Sequence, residues 1–438
     1  MKPFHEYDIR GIYPSEINSS FAFKLGKAIS KFLRKYQLGN KIIIGRDARI
    51  SSPKLYDNLV HSCIINGLNV NCIGICTTPS LYYMSKFHDA AIMITASHNP
   101  KYYNGFKIVL HKNFPLSYEN GLQEIEELIN TDFEIIKRGK ITHSNLQPYL
   151  NKVIKSFKNI NFSDIKVIVD SGNGVGAVTY PVVFRELKIK YQPINIEIDG
   201  NFPNHDPDPS KKSNLKELKK QVIHQKADIG IAFDGDADRL VVIDDEGKIL
   251  DSSIIAKILA KHYINLNEKF VVDLRLSKSV IEYIYGLKGN VERSRVGHVN
   301  IKKKMREINA IAGMEKSGHY MHRDLLNIDD GLFTSLIVIS ELKKQNIELS
   351  KLHKKLTKYH QISFNLNVKN KSSALTRIKE FFFTARMDFM DGISIEYSDW
   401  WANIRESNTE NILRVSIEAE EEAIAKQKYH EIKRILQT

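Results

Sequence analysis

The stretch Thr95-Ala96-Ser97-His98-Asn99-Pro100 sets a hydroxyl beside an imidazole directly after the apolar run Ala90 to Ile94. Five apolar residues bounded by polar ones predict a buried strand, so Ser97 is expected just past a strand's C-terminal end, where open α/β sheets gather their ligands. Asn99-Pro100 ends that strand, because proline fixes its own φ and steers the preceding residue away from helix. Taken alone, the six residues read either as a polar turn or as a place for chemistry. A second stretch, Asp234-Gly235-Asp236-Ala237-Asp238-Arg239, separates the strand-like runs Ala227 to Phe233 and Leu240 to Ile243. Three carboxylates at alternate positions, loosened by Gly235, can converge on one hard divalent cation; without it they repel. An EF-hand is excluded, since Arg239 stands where that loop needs glycine and Asp245 where it needs a bidentate glutamate. A metal-free acidic turn is the other reading.

Two basic residues come with turn signals. In Tyr7-Asp8-Ile9-Arg10-Gly11 the glycine permits a tight turn that would aim the guanidinium inward. In Asn104-Gly105-Phe106-Lys107 the Asn-Gly pair predicts a turn, with Lys107 at the start of a strand. That lysine either balances phosphate charge or faces solvent on an edge strand. Asp170-Ser171-Gly172-Asn173-Gly174-Val175-Gly176 is glycine-rich, but it lacks both the G-x-G-x-x-G spacing and a P-loop Lys-Ser/Thr, so its glycines are read as backbone geometry.

The elements that must position these residues follow from periodicity. Leu25, Ala28, Ile29, Phe32, Leu33 and Tyr36 recur in steps of three and four, which predicts a helix packed on one face. Ile42-Ile43-Ile44 reads as a buried strand ending in Gly45-Arg46-Asp47, and Pro53 is placed to open the next helix. Residues 70 to 79 add a strand and the turn Thr77-Thr78-Pro79. A weak repeat appears in Ile42-Ile43-Ile44, Val167-Ile168-Val169 and Phe270-Val271-Val272, each followed within three residues by an aspartate. The domain-sized spacing predicts three similar α/β units. Asp199 to Pro207, rich in proline and aspartate, is a long irregular turn.

Composition sets the class. A chain of 438 residues exceeds one hydrophobic core and predicts roughly three to four domains. No apolar stretch approaches the ~20 residues of a bilayer span, and the start has no signal-peptide core. Cys63, Cys72 and Cys76 are expected as buried thiols in a reducing cytoplasm. The formal charge of +13 suits nucleic acid or an anionic substrate equally. Its densest runs, Lys211 to Lys220 and Lys302 to Arg306, carry apolar residues at helical spacing and no nucleic-acid module, so they are read as solvated helix faces.

Together the serine and acidic motifs resemble those of the α-D-phosphohexomutase superfamily, bacterial phosphomannomutase/phosphoglucomutase type. Glu315-Lys316-Ser317-Gly318-His319 resembles its sugar-reading loop, and Arg405-Glu406-Ser407-Asn408-Thr409-Glu410 its C-terminal phosphate-binding loop. Tyr7 to Gly11, Asn104 to Lys107 and Val296-Gly297-His298 match in order as well. Met314 stands where the family usually has glycine, and Asn411 where proline is common.

The resemblance implies Ser97 as phosphoryl carrier, with Mg²⁺, one per chain, held by Asp234, Asp236, Asp238 and the Ser97 phosphate. It places His98, Lys107, Arg10 and Arg239 around the transferred group, and His298 and His319 as candidates for proton shuttling. Tyr7, Arg275, Glu315, Ser317, Arg405, Ser407, Asn408 and Thr409 would contact substrate. The implied fold is three similar mixed-sheet α/β domains (1–143, 144–248 and 249–354) and a C-terminal α+β domain of TATA-box-binding-protein-like type (355–438) around a central cleft. The implied reaction interconverts hexose 1- and 6-phosphates of mannose or glucose through hexose 1,6-bisphosphate. The expected partner is a small-molecule sugar phosphate rather than nucleic acid or membrane, and the expected state is a cytoplasmic monomer or weak homodimer. A phosphoglucosamine mutase, a Mg²⁺-dependent phosphatase and a non-catalytic sugar-phosphate binder are the rival readings.

Overall fold

A computed structural model describes residues 3–132, 137–265, 267–368, 370–406 and 412–437. The chain divides into two compact units, Met1–Leu250 with Ser317–Leu352, and Asp251–Lys316 with His353–Thr438. No described helix is long and apolar enough to cross a membrane.

The first unit opens with a mixed sheet in the spatial order Ile9–Ile12, Tyr103–Leu110, Ala90–Ile94, Lys41–Arg46, Asn69–Ile75, Ile141–His143. Strand Lys41–Arg46 runs parallel to its neighbours Ala90–Ile94 and Asn69–Ile75, whereas Tyr103–Leu110 is antiparallel to Ile9–Ile12, to Ala90–Ile94 and to the short strand Phe114–Pro115. Side chains alternate across the pleat. Ile42, Ile44, Ala90, Ile92 and Ile94 therefore join one core with Leu25, Ala28, Ile29, Leu55, Leu59 and Ile125 from helices Ser19–Lys35, Ser52–Ile65 and Leu122–Leu128. Met93, on the opposite face, meets the Cys76 thiol at 3.8 Å. Each fully buried Ile or Leu contributes about 1.5–3 kcal/mol relative to exposure. Asn18 caps the first helix by accepting from Phe21 N, and Pro53 lies in the first turn of the second.

Several predicted turns are regular structure. Asn104 and Gly105 lie inside strand Tyr103–Leu110, where Asn104 Nδ2 donates to Ser51 and Ser52 Oγ, and Gly105 pairs with Arg10. A Cβ at Gly105 would stand 2.2 Å from the Ile9 carbonyl oxygen, so the glycine serves a close strand approach rather than a turn. Lys107 is accordingly mid-strand, opposite Met93. Arg10-Gly11 belongs to strand Ile9–Ile12, and Thr77 caps helix Thr78–Met84 by accepting from Ser80 N. The three cysteines are free and buried, as expected.

A second mixed sheet orders Leu240–Asp244, Ile229–Phe233, Lys166–Asp170, Lys190–Ile194, with only the first pair antiparallel. Leu215, Leu218 and Val222 bury the inner face of helix Lys216–His224, leaving its lysines outside. The unit also holds the antiparallel pair Tyr320–His322 and Ile328–Asp329 and helix Gly331–Gln345.

The second unit contains parallel strands Asn290–Ser294, Lys269–Asp273 and Ala312–Met314 with helices Ser252–Tyr263, Lys278–Gly286 and His298–Ile308. Lys302 departs from its expected exposure: it is fully buried, one turn from Val299 and Met305 on the same helical face. The C-terminal domain is α+β: a five-stranded antiparallel sheet in the order His360–Leu366, Leu413–Ala419, Trp400–Glu406, Ile393–Glu396, Arg386–Asp388, covered by helices Lys371–Phe381 and Glu422–Gln437.

Candidate active site

Strand Ala90–Ile94 is buried throughout and delivers Ser97, itself 2% exposed, three residues past its end. Ser97 adopts φ +50°, the left-handed region that costs a non-glycine residue about 1–2 kcal/mol, so the surrounding bonds must hold it there. Its N–H donates to Thr95 Oγ1 at 2.8 Å, and its carbonyl accepts from Arg49 Nη2 at 2.8 Å. The side chain then faces the acidic loop. Ser97 Oγ donates to Asp234 Oδ2 at 2.6 Å across 137 residues of sequence, with His98 Nδ1 at 3.2 Å on its other side.

The acidic loop turns between two paired strands, which brings carboxylate oxygens of Asp234, Asp236 and Asp238 within 4.8 Å of one another, all buried. Ala237 takes φ +63° at the bend, and its N–H donates to the Asp234 carbonyl at 3.1 Å. Gly235 has a steric purpose: a Cβ there would stand 2.6 Å from the Ser97 carbonyl oxygen. Gly174, from the glycine-rich turn, packs against Gly235 in turn: a Cβ at Gly174 would stand 2.7 Å from the Gly235 carbonyl oxygen. Gly174 therefore serves a close backbone contact, in line with the reading of that turn as backbone geometry.

Lys107 Nζ donates to Asp236 Oδ2 at 2.7 Å and Asp238 Oδ2 at 2.6 Å, and Thr78 Oγ1 donates to Asp236 Oδ2 at 2.6 Å. One lysine does not neutralise three carboxylates. Burial, then Asp238 and Asp236, push the Asp234 carboxyl well above its ordinary range. Burial would raise Asp238 too, but Lys107 and then His319 outweigh it and hold that carboxyl well below. Burial would lower Lys107, yet Asp236 and Asp238 keep its ammonium charged. Asp236 Oδ1 is buried and has no hydrogen-bond partner among the described residues. That oxygen, with its two neighbouring carboxylates, fits a hard divalent cation bound by oxygen.

Other predicted residues gather in the same unit. His319 Nε2 lies 3.2 Å from Asp238 Oδ1, and its Nδ1 is 2.8 Å from Ser317 Oγ. Arg239 Nε reaches His319 Nε2 at 3.3 Å, and its backbone N–H donates to Asp234 Oδ1. Arg10 donates to Asn99 Oδ1 at 2.6 Å and pairs with Asp8 at 2.5 Å. Burial, then Arg239 and Arg10, hold the His98 imidazole well below its usual pKa and therefore neutral. Tyr7 instead donates to its neighbour Glu6. Arg49, Asp8 and Thr78 were missed by sequence reasoning. For Arg49 a signal existed, its place two residues after the strand-end Asp47.

In the second unit, Arg275 pairs with Asp273 at 2.8 Å and Glu315 at 3.1 Å, while Lys316 N–H donates to Asp273 Oδ2 at 3.0 Å. Arg405 is 6% exposed; burial, then the nearby Arg275, lower its proton affinity. Arg405 Nε has no partner among the described residues. Two guanidiniums this close suit a shared anion. His298 is the first residue of helix His298–Ile308, after Gly297 at φ +118°. Ser407, Asn408 and Thr409, together with Asn411, lie outside the described residues.

One device recurs in the three α/β domains. Asp47, Asp170 and Asp273 end or follow a parallel strand, and each accepts the N–H two residues on, from Arg49, Gly172 and Arg275. Each also meets a basic side chain: Arg49, His205 or Arg275. The neighbouring parallel strand then emits the serine loop, the acidic loop or the Glu315 loop.

Four family models match the chain in order: Phosphoglucomutase/phosphomannomutase alpha/beta/alpha domain I over residues 1–135, domain II over 147–247, domain III over 251–359, and the C-terminal domain over 364–435. A phosphomannomutase of Methanocaldococcus jannaschii is 35% identical over 442 residues, covering 99% of this chain and 97% of its own length. A phosphomannomutase/phosphoglucomutase of Pseudomonas aeruginosa is 31% identical, covering 96% and 92%. The solved structure of a phosphoglucomutase/phosphomannomutase family protein from Burkholderia thailandensis aligns with a TM-score of 0.90 at 27% identity, over 99% of this chain and 96% of that one.

Proposed function

We propose that this chain, which belongs to the phosphoglucomutase/phosphomannomutase family, interconverts the 1- and 6-phosphates of mannose, glucose or both, with Ser97 as phosphoryl carrier and hexose 1,6-bisphosphate as the bound intermediate. The observation that carries the reading is the 2.6 Å approach of Ser97 Oγ to Asp234 within a buried cluster of three aspartates and one lysine.

Phosphorylated Ser97 donates its phosphoryl group to the free hydroxyl of the sugar phosphate; the serine O–P bond breaks as the sugar O–P bond forms. The hydroxyl proton needs an acceptor, and His319, steadied by Ser317 and Asp238, is suited to it. Lys107 and Arg10 place positive charge beside the equatorial oxygens, over which the negative charge of the transferring group is spread. Mg²⁺, held by Asp234, Asp236 and Asp238, would add two further positive charges there. Neutral His98 offers a hydrogen bond to the serine oxygen. In the return half, the other sugar O–P bond breaks as the serine O–P bond forms; the Ser97 hydroxyl proton, which points at Asp234, leaves, and the freed sugar oxygen takes back the proton that His319 accepted. Arg405, with the Ser407 to Thr409 segment, is assigned the phosphate that is not reacting, and Arg275, Glu315 and Ser317 the sugar. Ala237 and the Glu315 to His319 motif favour mannose or glucose over glucosamine.

The domain limits 1–143, 144–248, 249–354 and 355–438, a cytoplasmic setting and a monomeric or weakly dimeric state belong to this same reading. Ser97→Ala tests its centre: interconversion of glucose 1-phosphate and mannose 1-phosphate, assayed with Mg²⁺ and a trace of hexose bisphosphate, is expected to vanish while the circular dichroism spectrum is kept. Near-normal turnover in that variant sinks the mechanism. Release of inorganic phosphate in place of the isomeric sugar phosphate would mark a phosphatase.

A further inference from the structure

Arg49 is a fully buried arginine whose five N–H donors are all engaged. Nε donates to Asp47 Oδ2 at 3.1 Å. Nη1 donates to the carbonyls of Pro100 at 2.7 Å and Tyr103 at 3.0 Å, and Nη2 to those of Ser97 at 2.8 Å and Asn99 at 2.6 Å. Four of the five acceptors are thus backbone oxygens of the loop that carries Ser97. From the other side, the guanidinium carbon sits 5.3 Å from the centre of the Phe202 ring. The turn Asp199 to Pro207, whose His205 meets Asp170, packs on Arg49 and on the acidic loop: a Cβ at Gly200 would stand 2.7 Å from Arg49 Cα, and Pro207 Cβ is 3.2 Å from where a Cβ at Gly235 would be.

We infer that Arg49, stacked by Phe202, is a positioning residue that holds the carrier-serine loop in its left-handed conformation at the right distance from the acidic loop. The logic is geometric. Ser97 at φ +50° persists only while its surroundings over-determine it, and a planar five-donor fork is the side chain that can gather carbonyls from residues 97, 99, 100 and 103 at once. Lysine keeps the charge but has three donors on a single atom, so it leaves at least two of those acceptors unmet. In the third domain the equivalent Arg275 also grips its strand-end aspartate, yet spends its remaining reach on the Glu315 side chain. Arg49 spends it on backbone, which makes it a brace rather than a substrate contact.

The inference rests on Ser97 being the carrier, and the experiment separates the two. Arg49→Lys is expected to lower kcat at least tenfold with KM for the hexose phosphate within twofold. Single-turnover loading of Ser97 from hexose 1,6-bisphosphate, followed by intact mass, should slow by the same factor, with the thermal midpoint within a few degrees of wild type. Phe202→Leu should show the same split more weakly, and Phe202→Tyr, which keeps the ring, should restore wild-type kcat. If Arg49→Lys does not fold, the Phe202 pair decides alone. Wild-type kcat in Arg49→Lys, a loss expressed only in KM, or a kcat that follows the unfolded fraction overturns the brace. A Ser97→Ala enzyme that still turns over overturns the carrier reading instead.

Discussion

Asp236 divides its carboxylate between two demands: Oδ2 accepts from Thr78 and Lys107, while Oδ1 is buried without a partner among the described residues. Keeping an unpaired carboxylate oxygen dry is costly unless a cation takes it. Asp236→Asn therefore makes a two-signed prediction. Without metal, removing one of three mutually repelling carboxylates is expected to raise the thermal midpoint or leave it unchanged. In saturating Mg²⁺ the order should reverse, because wild type gains stability by binding and the variant, one ligand carboxylate short, binds more weakly. Calorimetric titration gives the affinity and thermal scans with and without chelator give the crossing. An Asp236→Asn protein that is less stable in both conditions shows that the carboxylate is structural and not a ligand.

At the scale of strands and loops, glycines report which approaches are tight. A Cβ at Gly105 would meet the Ile9 carbonyl oxygen at 2.2 Å and the Thr95 carbonyl at 3.0 Å, so Gly105→Ala must push strand Ile9–Ile12, with Arg10, away from the serine loop. The expected cost is about 1–3 kcal/mol in a denaturant titration, accompanied by loss of activity. The same substitution at Gly286, the last residue of helix Lys278–Gly286 with nothing within 4 Å of its Cβ position, is expected to stabilise by up to about 1 kcal/mol. Equal effects at both sites would mean that backbone entropy, not the close approach, sets the response at Gly105. This contrast also marks what the sequence carried. Strands Lys41–Arg46, Ala90–Ile94 and Ile229–Phe233 were legible because buried β-branched runs between polar boundaries have few alternatives. Asn104-Gly105 was misread as a turn because local turn chemistry looks the same whether the glycine frees φ or clears space for another strand. Arg49 was unremarkable as one more basic residue, since its acceptors are carbonyls whose positions no side chain announces. The meeting of Ser97 with Asp234 spans 137 residues and was reachable only through the resemblance of both motifs to one family.

For the whole molecule, cores and probes are unequally distributed. The first unit holds the clusters built on Ile42 to Ile94 and on Ile168 to Ile243, together with Asp234, Asp236 and Asp238. The second holds the cluster from Leu366 to Leu436, and both tryptophans of the chain, Trp400 and Trp401, lie buried there. A chain of this length is not expected to unfold in one two-state step. Tryptophan fluorescence follows the second unit, whereas far-ultraviolet circular dichroism follows helices and strands of both. Mg²⁺ at one hundred times its Kd stabilises only what binds it, by about 2.7 kcal/mol. In a urea titration the dichroism curve should therefore split and its metal-dependent part move to higher urea, while the fluorescence midpoint stays in place. Asp236→Asn should shrink the movement without touching the fluorescence curve. If Mg²⁺ instead shifts both curves together by the same free energy, the two units unfold as one cooperative body.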